Sequence, residues 1–466
     1  MSVQHRTRWL AMEIASLFPR WGEQQRQELL ARTLDPDPDQ SRAGRITLFE
    51  ARRSAARRHG RSFPGALMRR VRDALVMRKV SRSPQDQGGS ARSVTPTRTP
   101  DGPRILHAIS DLSVGGAAQL VYDIATESRR AGEQHIAALR ALHRSPPGLS
   151  VRIHPSSSKR AAARLLRSLA PDLVHVCYYD FGHYSVAWCG AILQAAHDAR
   201  IPIVQSHCVL GEPWLGGADQ TIVFCSEWSE RFSGAPWIPG VVIHPGTPFD
   251  LFHAPYRPVR PEPVVGMAYR LYGDKIDLRS AHALAEVLDQ VPRARLRIVG
   301  AGRLEAGFRD LFRRRDLAER VDWVGWLTLE ELPAFYQSLD LALAPVISDT
   351  FGSCSVHAIA AGRPVVGTCA GALPEILRSP EALTPALGEV PDGFRFVRER
   401  QPLRKGIPAE AIEPDAARAF GRQAAALLGD PRLHARVHAE QLAHARAHFT
   451  VEHMVQRYEE LFASLI

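Results

Sequence analysis

Residues around Asp349 combine a carboxylate, a glycine and a histidine at a predicted helix start. In SDTFGSCSVHAIAAGRPVV, Asp349 precedes the predicted helix, and His357 lies within it, eight residues later. Gly352 and Ser353 fall at the first turn, where backbone N–H groups have no intrahelical partner and can face a phosphate. The pattern predicts an anion-binding helix start with Asp349 beside it.

Two further glycine turns precede predicted helices. Gly371 and Glu375 open a loop-to-helix turn at the same predicted sheet edge as Asp349. Gly115 and Gly116 follow the apolar run RILHAI, and glycines there let the backbone approach a ligand at a helix start. A purely structural turn is the alternative for this glycine pair.

Arg270 and Lys275 bring two cations into one predicted loop. They lie five residues apart in YRLYGDKIDL, directly after the apolar run PVVGMA. Two cations at the mouth of a cleft would neutralise a diphosphate and stabilise negative charge on a leaving group. A solvated surface is the alternative for this pair.

The elements that carry these residues are predicted to form parallel sheets. From residue 103, short apolar runs alternate with amphipathic helical segments, and a second series of the same kind starts near residue 263. Such alternation is typical of β-α-β units. We predict an α/β fold with two Rossmann-like parallel-sheet domains facing a cleft. Ligands bind beyond the carboxyl ends of the strands in such sheets, where the loops described above should lie.

Changes in composition set the predicted domain boundaries. Residues 1–80 are predicted to form a basic helical extension, and residues 81–102 a flexible linker rich in Ser, Pro, Gly and Thr. The two sheet domains are predicted over residues 103–255 and 256–445. Residues 446–466 form a predicted C-terminal helix.

The positive charge is concentrated at the N-terminus. The net charge of +10 lies within residues 1–102, and the rest of the chain is neutral. Residues 42–82 hold 13 basic side chains, and Leu67, Val71 and Leu75 recur between them at helical spacing. We predict that this segment binds an anionic membrane surface; a solvated arm is the alternative. No nucleic-acid partner is expected, because the segment has few aromatic residues and accompanies no recognised nucleic-acid module.

Overall composition excludes wholesale disorder and favours a cytoplasmic protein. The chain has 466 residues, of which 45% are hydrophobic and 23% charged. No apolar run approaches the ~20 residues of a membrane-spanning helix, and Glu13 interrupts the one candidate for a secretory signal. The six cysteines include no C-x-x-C pair, which argues against a structural zinc site and a disulfide framework.

Several motifs follow one another as they do in a known family. R-L-Y-G-D-K is similar to a G-R-L-x-x-x-K loop, and D-T-F-G-S-C-S-V-H-A-I-A-A-G-R-P-V-V is similar to E-x-F-G-x-x-x-x-E-A-x-A-x-G-x-P-V-V. G-A-L-P-E is similar to G-G-x-P-E, and GGAAQ to a Gly-Gly-Ala-Glu loop. Residues from about 103 to 466 therefore resemble glycosyltransferase family 4, whose members are retaining sugar transferases with the GT-B fold.

The resemblance implies transfer of a sugar from a UDP- or GDP-linked donor to an acceptor hydroxyl, with retained anomeric configuration. In this family the leaving phosphate is thought to help deprotonate the acceptor, so the resemblance implies no metal and no cofactor besides the donor. It also implies that the C-terminal helix packs back on the first domain. The implied setting is surface polysaccharide or glycolipid synthesis, in the cytoplasm or on the inner face of the membrane, with a saccharide or lipid-linked acceptor.

The resemblance also assigns site residues in four groups. The implied catalytic residues are His207, in the loop after IPIVQS, and Asp349. The implied diphosphate-binding residues are Gly116, Arg270, Lys275, Gly352 and Ser353. The implied nucleotide- and ribose-binding residues are Gly325, Trp326 and His357. The remaining implied donor-site residues are Phe351, Gly371 and Glu375.

Three positions depart from the family pattern. Asp349 and His357 stand where the family has paired glutamates, and Ala118 stands where the first loop has a glutamate. A neutral imidazole has one donor and one acceptor, whereas a carboxylate accepts from both ribose hydroxyls. Losing one hydrogen bond to a charged group costs about 1.5–3 kcal/mol, which weakens donor binding about tenfold to hundredfold. The alternative function is a degenerate GT-B protein that acts as a non-catalytic binding module.

Overall fold

The computed structural model describes residues 24, 25, 28, 31, 102–112, 115–141, 149–178, 183–208, 220–232, 240–388 and 414–466. The segment 42–82, for which membrane binding is predicted, lies outside the described residues, as does nearly all of the predicted linker.

The chain divides into two compact units. One unit comprises Met1–Thr95 and Trp214–Asp219, and its four described residues (Gln24, Gln25, Glu28 and Ala31) are helical and exposed. The other unit, Pro96–Pro213 with Gln220–Ile466, contains both sheets.

The first sheet of this unit has seven parallel strands in the order β3-β2-β1-β4-β5-β6-β7. Its central strands are buried along their whole length, as expected for a parallel sheet covered on both faces, although β4 and β5 carry His175, Gln205, Ser206 and His207. The strands are β1 Ile105–Leu112, β2 Gln134–Ala141, β3 Ser150–Ile153, β4 Leu173–Tyr178, β5 Ile203–His207, β6 Gln220–Phe224 and β7 Gly240–Val242.

Helices connect these strands. Ser158 caps one of them by accepting a hydrogen bond from the Ala161 N–H at 3.4 Å. The helices are α1 Gly116–Glu127, α2 Lys159–Leu169, α3 His183–Asp198 and α4 Glu227–Phe232.

The second sheet has six parallel strands in the order β10-β9-β8-β11-β12-β13. Its strands β8, β11 and β12 are short, apolar and almost entirely buried. The strands are β8 Val264–Ala268, β9 Arg295–Val299, β10 Val321–Gly325, β11 Leu341–Ala344, β12 Val365–Thr368 and β13 Leu383–Thr384.

The remaining helices cover the second sheet and close the chain. Asp277 and Ser280 form a capping box at the start of the helix that connects β8 and β9. The helices are α5 Phe249–Phe252, α6 Leu278–Gln290, α7 Glu305–Arg314, α8 Leu332–Gln337, α9 Ser353–Ala360, α10 Leu373–Leu377, α11 Pro414–Gly429, α12 Pro431–His448 and α13 Val451–Ala463.

Each sheet has its own hydrophobic core, and the described segments cross between the two cores at residues 243–252 and 449–451. Helix α13 packs Met454, Tyr458 and Phe462 into the first core. Helix α12 runs to His448, so the helix that docks on the first sheet begins at Val451 rather than at residue 446. Phe252, within the predicted first domain, packs into the second core, because its buried ring lies beside α8 and α9.

Both sheets reverse strand order at one point, between β1 and β4 and between β8 and β11. Such switch points open a crevice at the carboxyl ends of the strands. The predicted fold class, two Rossmann-like parallel-sheet domains of GT-B type, is confirmed. Among the described residues, no helix is both long enough and apolar enough to cross a membrane.

Candidate functional site

The loops after β8 and β11 meet at the switch point of the second sheet. The Lys275 carbonyl accepts a hydrogen bond from the Ile347 N–H at 2.8 Å, which ties the two loops together through their backbones. Lys275 Nζ then lies 2.7 Å from Asp349 Oδ1. The structure therefore brings together two predicted site residues that are 74 positions apart in the chain.

The Lys275–Asp349 pair is nearly buried on its acidic side. The Asp349 side chain is 1% exposed and the Lys275 side chain 30%. Burial lowers the pKa of Lys275, but the attraction of Asp349 outweighs burial, so this pKa lies above its ordinary value. Lys275 is therefore a cation at neutral pH. Asp349 Oδ2 is buried and has no hydrogen-bond partner among the described residues.

Arg270 forms a second ion pair in the loop after β8. Its Nη2 lies 2.5 Å from Asp274 Oδ2, and both side chains are about two-fifths exposed. A half-exposed guanidinium paired with a half-exposed carboxylate can exchange partners at small cost, because solvent screens the pair. Arg270 is thus placed beside Lys275 with its ion pair open to water.

Gly371 fixes the backbone of Asp349. Its φ of +60° lies in the left-handed region, and a Cβ there would come within 2.2 Å of the Asp349 carbonyl oxygen. The same carbonyl accepts a hydrogen bond from the Ala372 N–H at 2.9 Å. Gly371 therefore helps to position the backbone of Asp349. The sequence did not indicate this contact between the two residues.

Two helix starts converge in the crevice. Gly352, with φ +103°, ends the loop before α9, and α9 begins at Ser353. A Cβ built on Gly116, the first residue of α1, would lie 3.7 Å from Ser353 Oγ. The first-turn N–H groups of a 12-residue and an 8-residue helix therefore lie near one another, and each carries the partial positive charge of its helix dipole.

His357 stacks on a ring that the sequence did not indicate. Its imidazole lies 4.4 Å from the ring of Phe252, at an interplanar angle of 15°. Burial lowers the pKa of His357 to about 4, so the side chain is neutral at physiological pH. Nδ1 is buried without a hydrogen-bond partner among the described residues. Ala118, the other departure in the first loop, is buried within α1.

Gly325 is the last residue of β10, and Trp326 directly follows it. Gly325 has φ +81° with open space where its Cβ would be, and its carbonyl accepts a hydrogen bond from the Gly300 N–H at 2.7 Å. Trp326 is 54% exposed, among the highest values for a large apolar side chain in the described chain. Its open ring face is available to a flat ligand.

Two predicted site residues, His207 and Phe351, have different surroundings from those expected. His207 is the last residue of β5 rather than part of the following loop, because the parallel ladder continues through it to Tyr178 and Phe224. It is fully buried, stacked on Tyr178 at 6.0 Å. Phe351 is buried against His244 and Phe449 where the chain crosses between the sheets.

Glu375 contacts the first sheet domain. Its carboxylate accepts hydrogen bonds from the N–H groups of Glu227 at 3.0 Å and Trp228 at 3.2 Å, at the start of α4. Sequence reasoning also missed Asp274 and Ser226. Asp274 lies in the R-L-Y-G-D-K loop, four residues after Arg270. This spacing of opposite charges could have indicated the ion pair.

Metal ligands do not cluster in the described part of the chain. No group of three or more His, Cys, Asp or Glu side chains is placed there to hold a metal ion. All six cysteines are free thiols.

The second sheet domain matches the sequence model of a known protein family. Residues 262–392 match the family model described as "Glycosyl transferases group 1". This segment includes the Lys275–Asp349 pair and the start of α9. The fold and the match together define a GT-B protein whose second domain is similar to group 1 glycosyl transferases.

Curated relatives match mostly over short segments. The chain is 28% identical to a 2-deoxystreptamine glucosyltransferase of Streptomyces kanamyceticus over 29% of this chain and 35% of that protein. It is 36% identical to a D-inositol 3-phosphate glycosyltransferase of Corynebacterium jeikeium over 24% of this chain and 27% of that protein. The chain thus spans about a third of the length of the first curated relatives that it matches.

Solved structures share the fold over most of the chain. Anabaena HepE in complex with UDP-glucose has a TM-score of 0.60 at 18% identity, covering 78% of this chain and 100% of that one. Sucrose-phosphate synthase from Thermosynechococcus elongatus has a TM-score of 0.55 at 18% identity, covering 78% of this chain and 100% of that one. At these identities the likeness concerns the fold.

Proposed function

We propose that the protein is a glycosyltransferase that moves a sugar from a nucleotide-diphosphate donor to an acceptor hydroxyl. The observation that carries the proposal is the Lys275–Asp349 pair at a switch point, beside the converging starts of α1 and α9. A cation and helix N-termini suit a diphosphate, and a buried carboxylate oxygen suits a sugar hydroxyl. The matched family model and the UDP-glucose complex of HepE support this reading.

In this proposal Arg270 and Lys275 bind the diphosphate together with the first-turn amides of α9. They stabilise the negative charge that develops on the leaving nucleotide as the glycosidic bond breaks. Arg270 exchanges its half-exposed partner Asp274 for a phosphate oxygen. Asp349 Oδ2 accepts a hydrogen bond from a hydroxyl of the donor sugar, which orients the sugar.

The nucleoside occupies the side of the crevice formed by the loops after β9 and β10. Trp326 offers a flat exposed face to the base, and His357 offers one nitrogen to the ribose. Both UDP and GDP fit this chemistry. His207 ends β5 in the first sheet domain, where its ring stacks on that of Tyr178.

We further propose membership of glycosyltransferase family 4 and retention of configuration, with hexosyl transfer that needs no metal ion. The leaving phosphate then takes the acceptor proton on the same face of the sugar. Residues 42–82 would hold the enzyme on an anionic membrane surface near a glycolipid or polysaccharide acceptor. If so, deleting residues 1–102 will reduce sedimentation with phosphatidylglycerol vesicles, and equal sedimentation of both chains would contradict this.

The test of the activity is release of UDP or GDP from a panel of nucleotide sugars. Arg270→Ala should lower kcat/KM about tenfold to hundredfold, since one charge-assisted contact to the diphosphate is lost. Arg309→Ala is the matched control, because Arg309 forms an ion pair of similar exposure with Glu305, four residues away in the same domain. No turnover and no nucleotide binding across the panel would refute the proposal.

A second candidate function is a non-catalytic nucleotide-sugar-binding module. The neutral His357, where a ribose-binding carboxylate is expected, favours it. Binding of UDP-sugars without release of UDP would support this candidate. His357→Glu should then strengthen binding, and detectable transfer that Arg270→Ala lowers would exclude the module.

A further inference from the structure

The start of α4 contacts the donor-side segment that carries Asp349. Ser226 Oγ accepts a hydrogen bond from the Ser229 N–H at 2.9 Å and so caps α4. The same hydroxyl donates to the Thr350 carbonyl at 2.6 Å, and Cys225 Sγ donates to this carbonyl at 3.3 Å. Thr350 directly follows Asp349, so the first sheet domain holds the backbone of the site in the second.

The start of α4 also contacts the neighbouring donor-side turn through Glu375. The carboxylate accepts hydrogen bonds from the first two N–H groups of α4 and lies 3.8 Å from His244 Nε2. Burial raises the pKa of Glu375, but the nearby His244 ring and the hydrogen bonds from the two N–H groups outweigh burial and lower it. Glu375 is therefore an anion, and its side chain is 11% exposed.

The two donor-side segments that α4 contacts are joined to each other. Ala372 N–H donates to the Asp349 carbonyl, and Gly371 packs on the Asp349 backbone. A single turn, Cys225–Trp228, thus touches both segments that frame Asp349. We call this set of contacts the seam; it comprises Ser226 with Thr350 and the α4 N–H groups with Glu375.

We propose that Ser226 and Glu375 are positioning residues, which couple the approach of the two sheet domains to the placement of Asp349. This inference rests on the proposed function. Neither side chain needs to touch the donor, because both act through the Asp349–Gly352 segment. When the domains separate, Thr350 and Glu375 lose their partners together, and Asp349 loses two of its supports. Nucleotide binding to the second domain should persist in that state, whereas turnover should fall.

The experiment separates binding from turnover in the full-length chain. Glu375→Ala should lower kcat about tenfold to hundredfold, the range expected for losing hydrogen bonds to a charged group. The dissociation constant for UDP should change less than about threefold. Glu375→Gln keeps one acceptor oxygen and should fall between the wild type and Glu375→Ala. Ser226→Ala, which removes the contact with Thr350 from the other domain, should also lower kcat selectively.

Glu440→Ala is the matched control. Its carboxylate also accepts two hydrogen bonds, from Ser379 and Arg436, but both partners lie within the second sheet domain. This variant should leave kcat unchanged. If Glu375→Ala weakens UDP binding as much as it lowers kcat, Glu375 contacts the donor and the inference is wrong. Unchanged kcat in both seam variants would also overturn it.

Small-angle X-ray scattering provides a readout that does not depend on turnover. The radius of gyration of UDP-bound Glu375→Ala should exceed that of the UDP-bound wild type, because the domains separate. An equal radius would contradict the coupling. If the wild type turns over no nucleotide sugar yet the radius increases in the variant, the proposed function fails and the seam stands.

Discussion

The two sheet domains use buried polar side chains in opposite ways. In the second domain, Lys275 and Asp349 form an ion pair at the loop ends of the strands. In the first domain, a chain of neutral groups runs through the sheet itself. His107 Nδ1 lies 2.8 Å from His175 Nδ1, and His175 Nε2 lies 2.8 Å from Ser206 Oγ. This ion pair lies in the loops after the strands, whereas the neutral hydrogen bonds lie within the buried sheet.

The neutral chain has one consistent set of proton positions. Gln134 Nε2 donates to the Ala125 carbonyl, so Gln134 Oε1 accepts from His107 Nε2 at 2.7 Å. His107 Nδ1 must then accept from His175, whose other nitrogen accepts from Ser206. Tyr458 Oη, on α13, donates to Ser206 Oγ at 2.6 Å. A ring that gains a proton breaks this order and places a charge within the buried sheet, so this arrangement of protons requires both histidines to be neutral.

The largest expected effect comes from breaking the Lys275–Asp349 ion pair of the second domain. Lys275→Ala should lower kcat/KM about a hundredfold to thousandfold, as expected when a preorganised electrostatic contact is lost. Because Asp349 would lose its counter-ion, urea unfolding should be measured alongside activity. Lys275→Arg keeps the charge and should recover part of the activity. Full activity in Lys275→Ala would show that the ion pair has only a structural role.

Breaking the neutral chain should instead affect stability. His175→Ala leaves His107 Nδ1 and Ser206 Oγ without their partner and opens a cavity, which should cost about 3 kcal/mol in the free energy of unfolding. The folded variant should keep kcat within about threefold. His197→Ala, on the exposed side of α3, is the control and should change stability by less than about 0.5 kcal/mol. Loss of activity without loss of stability would contradict the structural role assigned to these hydrogen bonds in the first domain.

Acid should disrupt the same series of hydrogen bonds between His107, His175 and Ser206. Burial lowers the pKa of His107 from 6.5 to about 4, so the unfolded chain takes up this proton first. The contribution to stability is complete above pH 6.5 and decreases as pH falls from 6.5 to about 4, by about 3 kcal/mol for this group. Urea unfolding as a function of pH measures it. His107→Gln should reduce the slope over this interval, and an unchanged slope would contradict the assignment.

The smallest expected effect concerns the exposed ring of Trp326. Trp326→Ala should weaken UDP binding about fivefold, the low end for stacking on a base, and leave thermal stability unchanged. Isothermal titration with UDP measures it. Ile153→Ala, an equally exposed apolar residue in the first sheet domain, should change neither quantity. Unchanged UDP affinity in Trp326→Ala would place the base elsewhere.

Period and spacing predicted the architecture well. The apolar runs RILHAI, LVHVCY and PVVGMA became β1, β4 and β8, because continuous apolar runs between helices suit a covered parallel sheet. Gly116 and Gly352 were correctly placed at helix starts for the same local reasons. His207 was predicted to lie in the loop after β5 but is the last residue of that strand. The sequence of a strand does not show where it ends, because the end depends on how far the neighbouring strands continue the ladder.

The sequence by itself determined the alternation of strands and helices. It also placed Arg270, Lys275 and Asp349 at the carboxyl ends of parallel strands, since those positions follow from local pattern. The tertiary structure decided which groups meet: Lys275 with Asp349, Phe252 with His357, and Glu375 with the start of α4. These contacts join segments that are distant in the sequence. Their partners depend on how the elements and domains pack, and local periodicity carries no information about that packing.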